Sequence, residues 1–342
     1  MRLLKRPLLF VLTAIFVLTA CGGSNAPAAV DNSPADLKIM VGGLNKQIYI
    51  PNKLTEILGY FREQNLNVTL IDEGSGQASE EEVIAGNVQA GSGSYSHVLE
   101  VQPKGKFLTQ VVQFQIAPGE AEMVATPKAG TIKTAADLKG KNLGVTSIGS
   151  GTHTITLALL GRAGLSGTDA KFVAVGAGNT FIAAMQQKVI DAGMTTEPTI
   201  SRLIKTGAGQ VLIDLRTPTA TRAALGADYP FIGIFMMSDY VNSHKNVVQR
   251  LVNAYVKTLK WMKSHTAQEI SDKMPADYYA GDKDMYVTAL DGQKDSFTAD
   301  GIMPPAGALN ALNIELQYVK DMKGATVDIA KTYTNDFAKA AK

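Results

Sequence analysis

The 342-residue chain contains one cysteine and four histidines. A single thiol excludes an internal disulfide. Metal sites commonly need three or four ligands, and the histidines are scattered: His97 and His153 stand at predicted helix starts, His244 and His265 in helical surface sequence. No metal or other cofactor is therefore expected. There is no basic run and no interleaving of aromatic with basic residues, which excludes nucleic acid as a partner. No G-x-S-x-G nucleophile elbow is present, so Ser94 and Ser150 lack the setting of a serine hydrolase. The uncharged apolar run over residues 7–20 is too short for a resident membrane span.

That run has a different use. Arg2, Lys5 and Arg6 precede it and Cys21 follows, which is the layout of a secretory signal. Leu18-Thr19-Ala20-Cys21 resembles the bacterial lipobox, whose cysteine is lipidated and becomes the new N-terminus. The sequence thus predicts a lipoprotein signal over 1–21 and a flexible linker over 22–35, rich in Gly, Ala, Asn and Pro. The expected protein is exported to the periplasm or cell surface and held on the membrane by a lipid anchor at Cys21. Without residues 1–21 the balance is 30 basic to 31 acidic side chains.

Beyond the linker, β-rich runs alternate with helical periodicity. Strands are predicted at 37–43, 67–74, 90–95, 107–116 and 122–126, with helices at 53–64 and 79–85 between them. A second set runs through "NLGVTS", a helix at 152–162, "KFVAVG", a helix at 179–189, "AGMTTEP" and "QVLIDL". "FIGIFMMS" leads out to a mostly helical C-terminus, where 246–262 carries core residues at helical spacing. This alternation indicates an α/β protein with mainly parallel sheets. Two lobes are expected, one from 36–122 with 230–342 and the other from 123–229, with strands at 108–127 and 231–238 crossing between them. Ligands of open α/β sheets bind beyond the carboxyl ends of the strands, so facing lobes form a cleft at the hinge.

Two loops suit such a cleft. "GVTSIGSGTH" (144–153) runs from a strand into a helix. It lacks the lysine of a phosphate-binding loop and the third glycine of a dinucleotide loop. What remains are backbone N–H groups at a helix start and the hydroxyls of Ser147, Ser150 and Thr152, beside Gly151, suited to a polar or anionic group. An N-cap with small residues for close packing explains the same loop equally well. "GSYSH" (93–97) echoes its spacing, so Ser94, Tyr95 and Ser96 are expected to face it across the cleft. Glu197 in "TTEP" is either a ligand acceptor, a hinge anchor or a residue favoured near a helix N-terminus.

"ADLKGKNLGVTSIGSGTHTITLALLGRAGL" followed by "FVAVGAGNTFIAAMQQKVIDAGMTTEP" resembles the substrate-binding proteins of nitrate/sulfonate/taurine-type ABC importers, a group that includes thiamine-pyrimidine-precursor-like binders. The resemblance implies a type II periplasmic-binding-protein fold, two lobes on a two-stranded hinge, that closes on a small solute and presents it to a membrane permease. It implies binding loops at Gly43 to Asn45, Ser94 to Ser96, Ser147 to Thr152, Gly176 to Asn179 and Glu197. With no Arg or Lys in those loops, a small inorganic anion is disfavoured and Tyr95 and Phe231 are expected to stack a flat solute. A monomeric receptor without enzymatic activity is the leading expectation. The alternatives are a small-molecule enzyme on the same fold, similar to pyrimidine-precursor synthases, and a surface lipoprotein that binds a protein partner.

Overall fold

The computed structural model describes residues 32–341. The predicted signal, Cys21 and most of the linker lie outside the described residues. Ten strands form two five-stranded sheets. The first contains β1 (Ala35–Val41), β2 (Leu66–Asp72), β3 (Ala90–Ser94), β4 (Leu108–Gln113) and β10 (Ile232–Met237), in the order β2-β1-β3-β10-β4. The second contains β5 (Glu120–Ala125), β6 (Asn142–Val145), β7 (Lys171–Ala174), β8 (Ala192–Thr196) and β9 (Gly209–Leu215), in the order β7-β6-β8-β5-β9.

Each sheet is parallel apart from one strand. β10 runs against both neighbours in the first sheet and β5 against both in the second. These are the strands by which the chain arrives from the other lobe. The strands expected to cross lie wholly within the sheets, and residues 114–119 and 226–231 make the connections instead. The two connections are bonded together: Phe231 N donates to Gln115 O at 3.1 Å, and Phe114 N to Ile232 O at 2.9 Å. A two-stranded hinge results.

Side-chain size decides the local details. β3 consists of Ala, Gly and Ser, all buried, because a Cβ on Gly91 would sit 2.4 Å from the Phe235 ring. The predicted helix 53–64 is two helices, Ile50–Ile57 and Tyr60–Glu63, broken at Gly59 with φ +78°. The predicted helix 179–189 ends at Gln186, and Lys188 then takes φ +61°. Leu37, Ile39, Phe114 and Tyr255 belong to the large core of the first lobe. The long helix Lys245–Ser264 packs there, its Tyr255 hydroxyl donating to Asn52 at 2.8 Å. The second sheet is covered on both faces: Ala121, Met123 and Phe181 on one, Val124, Leu143 and Leu160 on the other. Among the described residues no helix is long and apolar enough to cross a membrane.

Gly193 of β8 lies against Gly144 of β6, where an added Cβ would fall 2.5 Å from the Gly144 carbonyl oxygen. Gly193→Ala must push these backbones apart and should cost about 1–3 kcal/mol in urea unfolding. Gly130→Ala, with nothing within 4 Å of the new carbon, should be close to neutral; equal effects would contradict this packing.

Candidate functional site

The carboxyl ends of the parallel strands face one another across the lobes. β1 ends in the Gly42-Gly43 loop, β3 at Ser94, β6 before Thr146 and β8 before Glu197. Gly151, first residue of the helix Gly151–Arg162, meets the other lobe directly. A Cβ there would lie 2.7 Å from the Phe231 ring and 3.0 Å from Ser94 Cβ. The two serine loops therefore do converge. The lobes are closed: Gln47 N donates to Glu197 O at 3.0 Å, Ser147 Oγ to Gln77 Oε1 at 3.3 Å, and Lys205 pairs with Asp282.

The hydroxyls hold their own loops in shape. Ser150 Oγ donates to Ser147 O at 2.7 Å, and Thr152 Oγ1 accepts from Thr146 N at 2.9 Å. Ser96 Oγ donates to Ser94 Oγ at 2.9 Å. His153 Nδ1 accepts from Gly149 N at 3.1 Å, so this ring supports the loop.

Two chambers lie between the lobes. The inner one, about 20 Å³, is walled by Ser94, Ser150, Gly151, Thr152, Phe231, His97 and Glu120. The outer one, about 500 Å³, is walled by Gly43, Asn45, Asp72, Asn179, Arg202 and Asp277. Lys46 borders both. A separate hollow of about 570 Å³ surrounds His153, Phe172 and Tyr318.

Three expectations about side chains are not met. Tyr95 does not face the cleft: it is fully buried, its hydroxyl shares a hydrogen bond with Thr332, and its ring lies 6.3 Å from that of Tyr333. The Glu197 carboxyl also turns inward, accepting from Ser201 N and from Arg216 Nη1, each at 3.0 Å. Burial raises its pKa, with Ser201 and Arg216 opposing. Finally, the cleft does contain a lysine. Lys46 lies one residue past the predicted loop and folds back over Gly43, with Nζ donating to Gly42 O at 2.6 Å and Gly74 O at 3.1 Å. Burial lowers its pKa to about 8 against the pull of Glu120 and Asp72.

Strand β5 supplies what sequence reading missed. Glu120, Glu122 and Val124 share one face by the two-residue period, and Ala121, Met123 and Ala125 the other. Glu120 is 2% exposed and Glu122 is fully buried. Burial holds the Glu120 carboxyl well above the usual range, and Glu122 beside it adds to this while Lys46 opposes. Two glutamates on a core-facing strand period were the available signal.

The family model described as NMT1/THI5 like matches residues 51–269. The chain belongs to the NMT1/THI5-like family. A protein of Bordetella bronchiseptica RB50 is 32% identical, with TM-score 0.85 over 90% of this chain and 96% of that one. The alkanesulfonate-binding protein SsuA from Xanthomonas axonopodis pv. citri, bound to MOPS, is 18% identical with TM-score 0.68, over 88% of this chain and 99% of that one. The periplasmic nitrate-binding protein NrtA from Synechocystis PCC 6803 is 12% identical with TM-score 0.69, over 90% and 89%. No curated protein matches the sequence. The fold of this NMT1/THI5-like chain is the two-lobed type II periplasmic-binding-protein fold.

Glu122 gives a pH test of the buried acids. Burial pushes it from 4.5 up to about 8, with the Thr156 hydroxyl opposing. Between those values it is neutral when folded and charged when unfolded. Its contribution is therefore complete below the lower value and is lost as pH rises through the upper one. Glu122→Gln keeps a neutral side chain of the same shape. Urea unfolding should show the variant gaining on the wild type from about pH 5 to about pH 8. A difference that is constant with pH would contradict a neutral Glu122.

Proposed function

We propose that this protein is the solute receptor of an ABC importer. A small organic solute enters between the lobes, bridges Ser94 on one to Ser150 and Gly151 on the other, and stabilises the closed state for delivery to a membrane permease. The observation that carries this reading is the small chamber where two hydroxyl-bearing strand ends from opposite lobes meet. Solute binding by two proteins of the same fold, one for an alkanesulfonate and one for nitrate, supports it. In this reading Asn45, Asn179 and Gly43 line the outer part of the site, while Ser96, Ser147 and Thr152 brace the loops. Glu197 anchors the second lobe through Arg216 and reaches the other lobe through its carbonyl oxygen. The protein acts as an exported monomer, anchored through a lipid on Cys21 and performing no chemistry on its solute.

Thermal unfolding against sulfonates, nitrate, aromatic acids and pyrimidines tests the proposal. A cognate solute at a hundred times its Kd should stabilise the fold by about 2.7 kcal/mol. Ser94→Ala and Ser150→Ala should each weaken that response. Silence across the panel would contradict the receptor reading, and an effect from only one substitution would contradict bridging.

A further inference from the structure

Two buried side chains that line the inner chamber carry polar atoms without hydrogen-bond partners. Glu120, 2% exposed, has no partner for Oε2. His97, 1% exposed, has none for either ring nitrogen, although Nδ1 lies 3.3 Å from Glu80 Oε2. Two of the three ammonium N–H donors of Lys46 go to the carbonyls of Gly42 and Gly74, and none is hydrogen-bonded to Glu120 Oε2. In the outer chamber Asp72, Glu73 and Asp277 outnumber Lys46 and Arg202, and Arg202 already donates to Asn179 at 2.7 Å. Around Glu120 the unmet need is for a hydrogen-bond donor, and the outer chamber beyond it is lined by more acidic than basic side chains. An isolated buried carboxylate is too costly to persist unpaired.

We infer that the cleft takes a solute whose leading group is an N–H donor, a protonated amine or amidine, with Glu120 as its acceptor at the inner end. The inference rests on the cleft being a solute site. It departs from the oxyanion chemistry of the sulfonate and nitrate binders that share the fold. The head group enters between Ser94, Ser150 and Glu120, and the body of the solute occupies the outer chamber. Burial, with Glu122 adding and Lys46 opposing, favours the protonated form of Glu120 in the empty site. A cationic head displaces that proton, so binding releases it to solvent. The other ionisable groups around this position are Lys46, Asp72, Tyr49, Glu122 and Tyr229, with Glu80 beside His97.

Calorimetric titration of the full chain with benzamidine and putrescine, against methanesulfonate and nitrate, tests the inference. Run in two buffers of different ionisation heat, it counts the protons exchanged. The expected result is binding of an amine or amidine with proton release and an affinity that rises with pH. Glu120→Gln should weaken binding about tenfold or more. If that variant does not fold, proton release by the wild type still decides. Amine binding without proton release, or undiminished in Glu120→Gln, overturns the role of Glu120. Binding of the oxyanions alone, or of a neutral solute from the wider panel, overturns this inference and leaves the receptor reading standing. Silence toward every solute overturns both.

Discussion

Lys46 and Glu120 stand on opposite walls of one cleft, both removed from water, and the surrounding structure is organised to tolerate them. A buried ammonium or carboxylate loses several kcal/mol of hydration that only good partners restore. Lys46 has such partners in the carbonyl oxygens of Gly42 and Gly74, which follow the ends of β1 and β2. Gly43 makes this possible: it takes φ +122°, and a Cβ there would lie 2.5 Å from Lys46 Cε. Glu120 has no matching arrangement. The asymmetry is what makes the cleft more than a seam between packed lobes.

The sheet order places these groups. In each lobe four parallel strands direct their carboxyl ends toward the other lobe, and the fifth arrives from it. Glu120 is the first residue of such an arriving strand, so it lies where the connection meets the floor of the cleft. Close approach then depends on small residues. Gly151 admits Phe231 and Ser94, and the Gly144–Gly193 pair lets β6 and β8 lie together. The hydroxyls of Ser150 and Thr152, bonded within their own loop, fix the shape of one wall.

Most of the fold was legible in the sequence because its signals are local. Alternating β and helical periods, and Gly/Ser-rich strand ends before helices, carry the two-lobed α/β architecture and identify the loops around Ser94 and Ser150. Direction and long-range pairing were not legible. Nothing near Tyr95 reveals that the first residue of its helix turns toward Thr332, more than 200 residues away in sequence. Glu197 leaves three readings open until Arg216, the residue that follows β9, is seen to hold its carboxyl. Lys46 escaped by lying one residue beyond a predicted loop. Glu120 escaped because a glutamate at a strand start ordinarily faces water.

The central claim is that the chamber between Ser94, Ser150 and Glu120 receives the solute. A crystal structure of the full chain with a solute that stabilises it tests this most directly. The account predicts the solute's polar head between those three residues and its body beside Lys46 and Asn45. A solute seated instead in the hollow around His153, Phe172 and Tyr318, with the inner chamber unchanged, would contradict it.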